Sequence, residues 1–420
     1  MMRKKRPGIL GLKVRVIAAT AMAVLIGLIG LGAPSAAAAQ YDPSSSKGFT
    51  LTGHGFGHGR GLSQWGAYGA ATKGLTMAAI LDFYYPGTTR STLADAPLRV
   101  SLTTGSPTHV AVDALGAMTV TSGGKTLALP VTHAATGRTI TAWRLLRDTA
   151  GTGLRLDLTY SGASGWVRYR AFSATTADFV SAAGTLRLIR PDGTRREYRG
   201  SLRAVRNAIT LSTINVVPME SYLRSVVPAE MPASWPKTAL AAQAVAARTY
   251  AAYKRARGND TRDICDTTAC QVYAGKAAWS STGTLLRTYE TSASDAAITA
   301  SGLRVLRYGG ALALTEFSAS NGGYTVASSL PYQVAKPDPY DGAVPNSANT
   351  WTKMVTLGAL SDAWPEIGTP KALVVIARDG NGQWGGRVTS VQIVGSRSTV
   401  TVTGARFTSA LGLRSTWWRG

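Results

Sequence analysis

Two hydrophobic rhythms run along this chain, broken by stretches with none. A period of two dominates residues 98–211, where Val, Thr and Leu alternate with polar residues between closely spaced Gly, Ser and Asp turns (RVSLTTG, MTVTSGGKTLAL, LRLDLTYSG, LRLIRPDGT, REYRGSLRAV). That rhythm predicts antiparallel strands. Arg190-Pro191-Asp192-Gly193 predicts a turn among them, because proline presets φ and glycine accepts positive φ. Residues 135–158 are less regular and read as an insertion. Short strands return over 351–413 (VTSVQIVG, STVTVTG).

The helical period is strongest over residues 236–257, which predicts the longest helix, with Ser234 as N-cap and Pro236 in the first turn. Leu240, Gln243, Ala247, Tyr250 and Ala251 fall on one face. Most of that face is small, so another element can pack closely, and Gln243 reads as a satisfied buried amide. Shorter helices are predicted over 63–73, stopped by Gly74, over 77–84, and over 295–301 with a glycine stop. Residues 303–308 and 312–318 predict a hairpin around Gly309-Gly310. The fold class is therefore α+β, mainly antiparallel β with one long Ala-rich helix and several shorter ones.

Three stretches follow neither rhythm. Gly53, Gly55, Gly57, Gly59 and Gly61 alternate with other residues, which forbids a stable helix and favours a tight loop. His54 and His58 lie four apart within it, but without a helix that spacing makes no metal-binding face. Residues 318–325 (SASNGGYT) are small enough to let backbone approach a ligand. Residues 331–349 are rich in Pro, Asp and Ser and irregular.

The N-terminus changes the picture of compartment. Arg3, Lys4, Lys5, Arg6, Lys13 and Arg15 precede and border an apolar run over 16–31, and Ala36 to Ala39 are small. This reads as a secretory signal peptide cleaved near Ala39–Gln40. No other apolar run nears the roughly 20 residues that a membrane span needs, so no stable span is expected after signal removal. Of the 45 Lys and Arg, six lie in this segment with no acid, which leaves 39 basic against 22 acidic residues, a net of +17. Such charge attracts an anionic polymer. The basic residues are scattered and form no groove-reading helix, which argues against nucleic acid, and export favours the anionic cell wall. The two cysteines, Cys265 and Cys270, are five apart. In an exported chain such a pair reads as a small-loop disulfide, and a metal site would need two more ligands.

The candidate chemistry lies in residues 215–253, NVVPMESYLRSVVPAEMPASWPKTALAAQAVAARTYAAY. Glu230 stands there among Pro228, Met231, Pro232 and Trp235. Desolvation in such company raises a carboxyl pKa, as a general acid requires. Glu220, at the start of a short amphipathic helix, is the alternative acid and ranks below it.

Several separated motifs resemble the SpoIID/LytB family (stage II sporulation protein D and the LytB amidase-enhancer relatives). ESYLRSVVPAEMPASWPKTALAAQAVAARTYA is similar to the family's hallmark, ICDTTACQVYAG to its cysteine loop and FSASNGGYT to its small-residue loop. GHGFGHGRGLSQWGAYGAATKGLTMAAILDFYYPGT resembles its His-Gly and Ser-Gln motif, and GARFTSALGLRSTWW the segment that normally leads into that motif. Here the His-Gly motif comes first rather than last, which looks like a circular permutation. Residues 49–61 should then lie beside the C-terminus.

The resemblance implies a SpoIID-like fold with a central cleft and an exported, cell-wall lytic transglycosylase. Such an enzyme cuts the MurNAc–GlcNAc bond of peptidoglycan glycan strands without water, and Glu230 matches its general acid. One carboxylate suffices for that reaction, unlike the paired acids of glycoside hydrolases. The alternative is a non-catalytic peptidoglycan-binding module that stimulates a cell-wall amidase, its partner. Candidate glycan contacts are Gln271 and Tyr273, the trio Ser318, Ser320 and Asn321, then His58, Ser63 and Gln64, and Arg248, which pairs either with Glu230 or with surface acids. Some members bind zinc in the cysteine loop; Ala269 precedes Cys270 here and no histidine is near, so no metal or other cofactor is expected and a Cys265–Cys270 disulfide is. The expected organisation is a signal peptide (1–39), a disordered leader (40–48), the permuted segment (49–90), a β-rich part (97–211), a catalytic core (212–330) and a C-terminal β part (331–420) closing onto 49–61.

Overall fold

Alternation over residues 98–211 builds two broad sheets. The structure, a computed structural model, describes residues 39–259 and 261–420, so the expected signal peptide lies outside the described residues except for Ala39. One sheet has seven strands, in the order Ile264–Cys265, Pro97–Ser101, Leu211–Pro218, Ser201–Arg206, Thr176–Ser181, Met118–Ser122 and Lys125–Leu129. The other has eight, in the order Val167–Phe172, Leu154–Tyr160, Ile140–Arg147, His109–Asp113, Thr185–Ile189, Arg195–Arg199, Ala277–Trp279 and Leu285–Thr288. Within them only Ile264–Cys265 runs parallel to its neighbour. Together with the helices below, this makes the molecule α+β with mostly antiparallel sheets.

Residues 135–158 are not an irregular insertion. The second and third strands from one edge of the eight-stranded sheet, Leu154–Tyr160 and Ile140–Arg147, fall largely there, with Leu145 opposite Leu156. The arginines that disturb the apolar pattern, Arg144 and Arg155, both donate to the buried Asp157. The 190–193 turn closes a hairpin: Gly193 has φ +79° and its N–H donates to the Arg190 carbonyl at 2.9 Å.

Five helices frame the region of Glu230: α1 (Gln64–Thr72), α2 (Met77–Tyr84), α3 (Met219–Glu230), α4 (Lys237–Arg255) and α5 (Ser292–Ser301). The other four all pack on α4. It tolerates this because Ala239, Ala241, Ala242, Ala244, Ala246 and Ala247 are all buried, and such small side chains admit neighbours on every side. Its N-cap is Pro236 rather than Ser234, and no side chain caps it. Trp235 N–H instead donates to the Pro232 carbonyl, a turn that carries Ser234 away from the helix start. Gln243 is fully buried, yet neither amide atom has a protein partner among the described residues, contrary to the expectation of a satisfied amide. The second arm of the 303–318 hairpin is only Ala311–Leu312, because Thr315 turns in to donate to the Ala246 carbonyl and Phe317–Ser318 pairs with Leu62–Ser63.

A second core, around Phe49, Leu51, Trp364, Phe407 and Trp418, lies between residues 48–54 and the C-terminal strands. Gly48–His54 pairs with Thr350–Thr356 on one side and with Trp418–Arg419 on the other, Gly53 opposite Trp418. The two ends of the described chain are therefore adjacent, as the permuted motif order requires. Residues 40–48 are not a disordered leader throughout: Ala39–Tyr41 is an edge strand with Gln40 opposite Val374, and the Ser44 hydroxyl donates to the Gly48 carbonyl. Backbone pairing at a sheet edge needs no apolar side chains, so a polar, Ser-rich sequence concealed it. Among the described residues no helix is long and apolar enough to cross a membrane.

Candidate active site

Glu230 is the last residue of α3, where the chain leaves the helix for extended backbone at Met231. Pro228, inside the final turn, lacks an N–H to continue the ladder, and the fully buried Met231 pins the exit. The carboxylate is half-buried. Its Oε1 accepts from the Val272 backbone N–H at 2.9 Å and its Oε2 from the Gln64 side-chain amide at 3.2 Å. Desolvation raises its pKa above the ordinary glutamate range, and the two donors offset part of that rise. The negative end of the α3 dipole acts in the same direction as desolvation. Among the described residues no charged side chain is a cause of the shift.

Arg248 is not a partner of Glu230 and is not placed to bind substrate. It is buried on α4, where its Nε and Nη2 donate to the two Glu220 oxygens at 2.6 and 2.8 Å. Glu220, the alternative acid, is thereby committed to a structural pair.

The segment after the cysteines explains how Val272 reaches the acid. Its extended backbone alternates, so Gln271 and Tyr273 turn inward and are buried while Val272 does not. Gln271 Oε1 accepts from the Tyr222 hydroxyl at 2.9 Å and its amide donates to the Ala247 carbonyl; the Tyr273 hydroxyl donates to Asn215 at 2.6 Å. Both side chains expected to contact glycan are thus used inside the core. Ser225 on α3 accepts from the Ala274 N–H, which ties the segment to the helix that carries Glu230. The sulfurs of Cys265 and Cys270 are bonded to each other. That donor set does not fit zinc, and among the described residues no group of three His, Cys, Asp or Glu side chains is placed to hold a metal.

Gln64 arrives from the glycine-rich segment. Ser63 caps α1, accepting from the Gly66 N–H, and its hydroxyl donates to Asp341 at 2.9 Å. The preceding glycines let this segment touch the 316–323 loop. A Cβ at Gly61 (φ +63°) would sit 2.0 Å from the Glu316 carbonyl oxygen, and one at Gly57 (φ +104°) 2.7 Å from the Ser318 Cβ. His58 accepts from the Arg60 N–H, and burial pushes its pKa down to about 4, so it is neutral at physiological pH. Ser318 accepts from the Gly59 N–H, Ser320 donates to Asp341 and Asn321 donates to Asp338. These four polar residues hold two loops together and none contacts Glu230. Of the candidate glycan contacts, the structure brings Gln64 alone to the acid.

Asp338 and Asp341, in the irregular 331–349 stretch, were not singled out by sequence reasoning. Asp341 accepts from Ser63, Ser320, Asn346, Asn349 and the backbone N–H groups of Asn321 and Gly322. Asp338 accepts from Tyr84 and Asn321. In a stretch rich in Pro, Asp and Ser with no periodicity, nothing set these two aspartates apart. A cavity of about 500 Å³ adjoins this network, lined by Asp341 and Asn349 themselves and by residues including His54, Tyr324, Gln383 and Trp417; Glu230 does not line it.

Residues 207–308 match the family described as Stage II sporulation protein, SpoIID. The amidase enhancer of Bacillus subtilis is 42% identical over 125 residues, which cover 28% of this chain and 15% of that relative. An uncharacterized protein of Brachyspira hyodysenteriae is 37% identical over 146 residues, covering 34% of this chain and 36% of the relative. The matches thus span well under two thirds of either relative's length.

Proposed function

Since the chain belongs to the SpoIID/LytB family, we propose that it is a cell-wall protein that cleaves peptidoglycan glycan strands without water, with Glu230 as both acid and base. The observation that carries this reading is the state of Glu230: a single carboxyl, biased toward its protonated form by burial, with no ionic partner among the described residues and with both oxygens oriented by fixed donors.

The carboxylic acid protonates the bridging oxygen as the C1–O bond of MurNAc breaks. The resulting carboxylate takes the proton from the sugar's own 6-hydroxyl, whose oxygen bonds to C1. The products are a free GlcNAc 4-hydroxyl and a 1,6-anhydroMurNAc end, and Glu230 is again protonated. The step consumes no water and needs no second catalytic carboxylate, in contrast to the two-acid hydrolases. The Val272 N–H and the Gln64 amide stabilise the carboxylate between the two proton transfers.

The test is incubation of purified protein with glycan strands stripped of stem peptides, followed by mass spectrometry of the ends. Wild type should give 1,6-anhydroMurNAc ends and Glu230→Gln none. Binding by the wild type with no anhydro product would sink the enzymatic reading. The 42% identity to a relative named amidase enhancer favours a second reading, a non-catalytic wall-binding module that stimulates an amidase. In that case Glu230→Gln would stimulate a purified cell-wall amidase as well as wild type does.

A further inference from the structure

We propose that Trp65, Tyr68 and Trp235 form an aromatic sugar subsite beside Glu230, which takes an N-acetylated pyranose ring of the strand being cut; the identity of the sugar rests on the glycan reading above. The three rings make one cluster. Tyr68 and Trp235 are stacked, with centroids 4.9 Å apart and planes 23° from parallel. Trp65 lies 4.7 Å from Trp235 and 5.8 Å from Tyr68.

Two independent segments build this cluster at the acid. Trp65 and Tyr68 are on α1, and Tyr68 is four residues after Gln64, so the two share a helix face about one turn, or ~5.4 Å, apart. Gln64 touches Glu230. Trp235 is on the short connection that leaves Glu230 for α4, held by its N–H to the Pro232 carbonyl and by prolines at 232 and 236. The rings are therefore placed by rigid elements.

Their surroundings distinguish them from core aromatics. All three are half-buried, so each keeps surface open to solvent. Among the described residues, no partner hydrogen-bonds to the Trp65 or Trp235 indole N–H or to the Tyr68 hydroxyl. The core tyrosines Tyr84, Tyr222 and Tyr273, by contrast, all donate to protein acceptors. Apolar ring faces with unpaired polar tips suit a ligand that is itself amphipathic. A pyranose is such a ligand: its axial C–H groups pack on an aromatic face while its hydroxyl and acetamido groups need donors and acceptors.

The experiment uses Glu230→Gln protein, so that ligand is not consumed, titrated calorimetrically with chitotetraose and with peptide-free glycan strands. Adding Trp235→Ala or Tyr68→Ala should lower affinity about tenfold or more, whereas Trp235→Phe, which keeps a ring, should stay within about threefold. Circular dichroism melts establish that each variant is folded; should Trp235→Ala fail to fold, Tyr68→Ala and Trp65→Ala decide. Unchanged affinity in the folded alanine variants, or no binding of either probe by Glu230→Gln protein, overturns the subsite. The two proposals fail separately. Anhydro ends formed by wild type and equally well by Trp235→Ala would leave the acid standing and remove the subsite. Binding that depends on Trp235 in a wild type that makes no anhydro ends would do the reverse.

Discussion

The side-chain amide of Gln64 donates to Glu230 across 166 residues of sequence, at 3.2 Å. One is the first residue of the helix after the glycine-rich loop and the other the last residue of α3. The donor is uncharged, so it orients the carboxylate while burial still holds the pKa up. An arginine at the same place would have stabilised the ionised form and opposed the rise that burial causes.

Replacing Glu230 with Gln should reduce formation of anhydro ends by at least about 10²-fold, the scale of general acid–base catalysis. Binding of peptide-free strands should persist, because the amide keeps the shape of the carboxyl. Quantitative mass spectrometry of ends and a co-sedimentation assay check both halves.

Gln64→Leu removes a donor that lowers the Glu230 pKa while keeping the site apolar, so the pKa should rise further. A general acid works protonated, and activity falls as pH rises through its pKa. The alkaline limb of the pH–rate profile should therefore move to higher pH than in wild type. A shift to lower pH would count against the hydrogen bond as read here.

Glu230 also couples stability to pH. The folded chain holds its proton to higher pH than the unfolded chain does, so native stability is fully present below the ordinary glutamate range and is lost as pH rises through the folded-state value. Glu230→Gln carries no such loss. Its melting temperature should match wild type near about pH 4 and exceed it near about pH 8, where a free carboxylate is ionised. This is the trade of stability for activity expected of a desolvated acid.

Glu220→Gln should be destabilising by roughly 3 kcal/mol, because Arg248 would keep its charge in the core without a counter-ion. The Arg248 side chain is only 1% exposed against 26% for Glu220, so the arginine bears the greater cost. Urea unfolding measures the loss. Below the transition, cleavage per folded molecule should be retained, which separates Glu220 from Glu230 as the acid.

Trp418 closes the second core and stacks on Phe407 at 5.0 Å, and its strand pairs with Gly53. Trp418→Ala should cost about 3–5 kcal/mol. Ser415, nearby, donates to the His54 carbonyl. Hydrogen exchange should therefore quicken over residues 48–63 as well as at the C-terminus.

The hydrophobic pattern by itself determined most elements: the strands over 98–211, α2 at its observed ends, α4 within a residue or two, and the Arg190–Gly193 turn. The motifs that resemble the SpoIID/LytB family singled out Glu230, and its apolar neighbours, adjacent in sequence, agreed with that choice. Only the tertiary structure decided what touches it. Gln271 and Tyr273 are polar and follow a marked loop, yet alternation buries them and offers the Val272 backbone N–H, a donor that every residue but proline carries and no side chain advertises. Ser320 and Asn321 were drawn away by Asp341 and Asp338, and Ser318 by the Gly59 N–H, partners settled by packing rather than spacing. Gln64 met Glu230 because Leu62–Ser63 pairs with Phe317–Ser318 and α1 packs on α4. A pairing between distant segments leaves no periodic trace in either one.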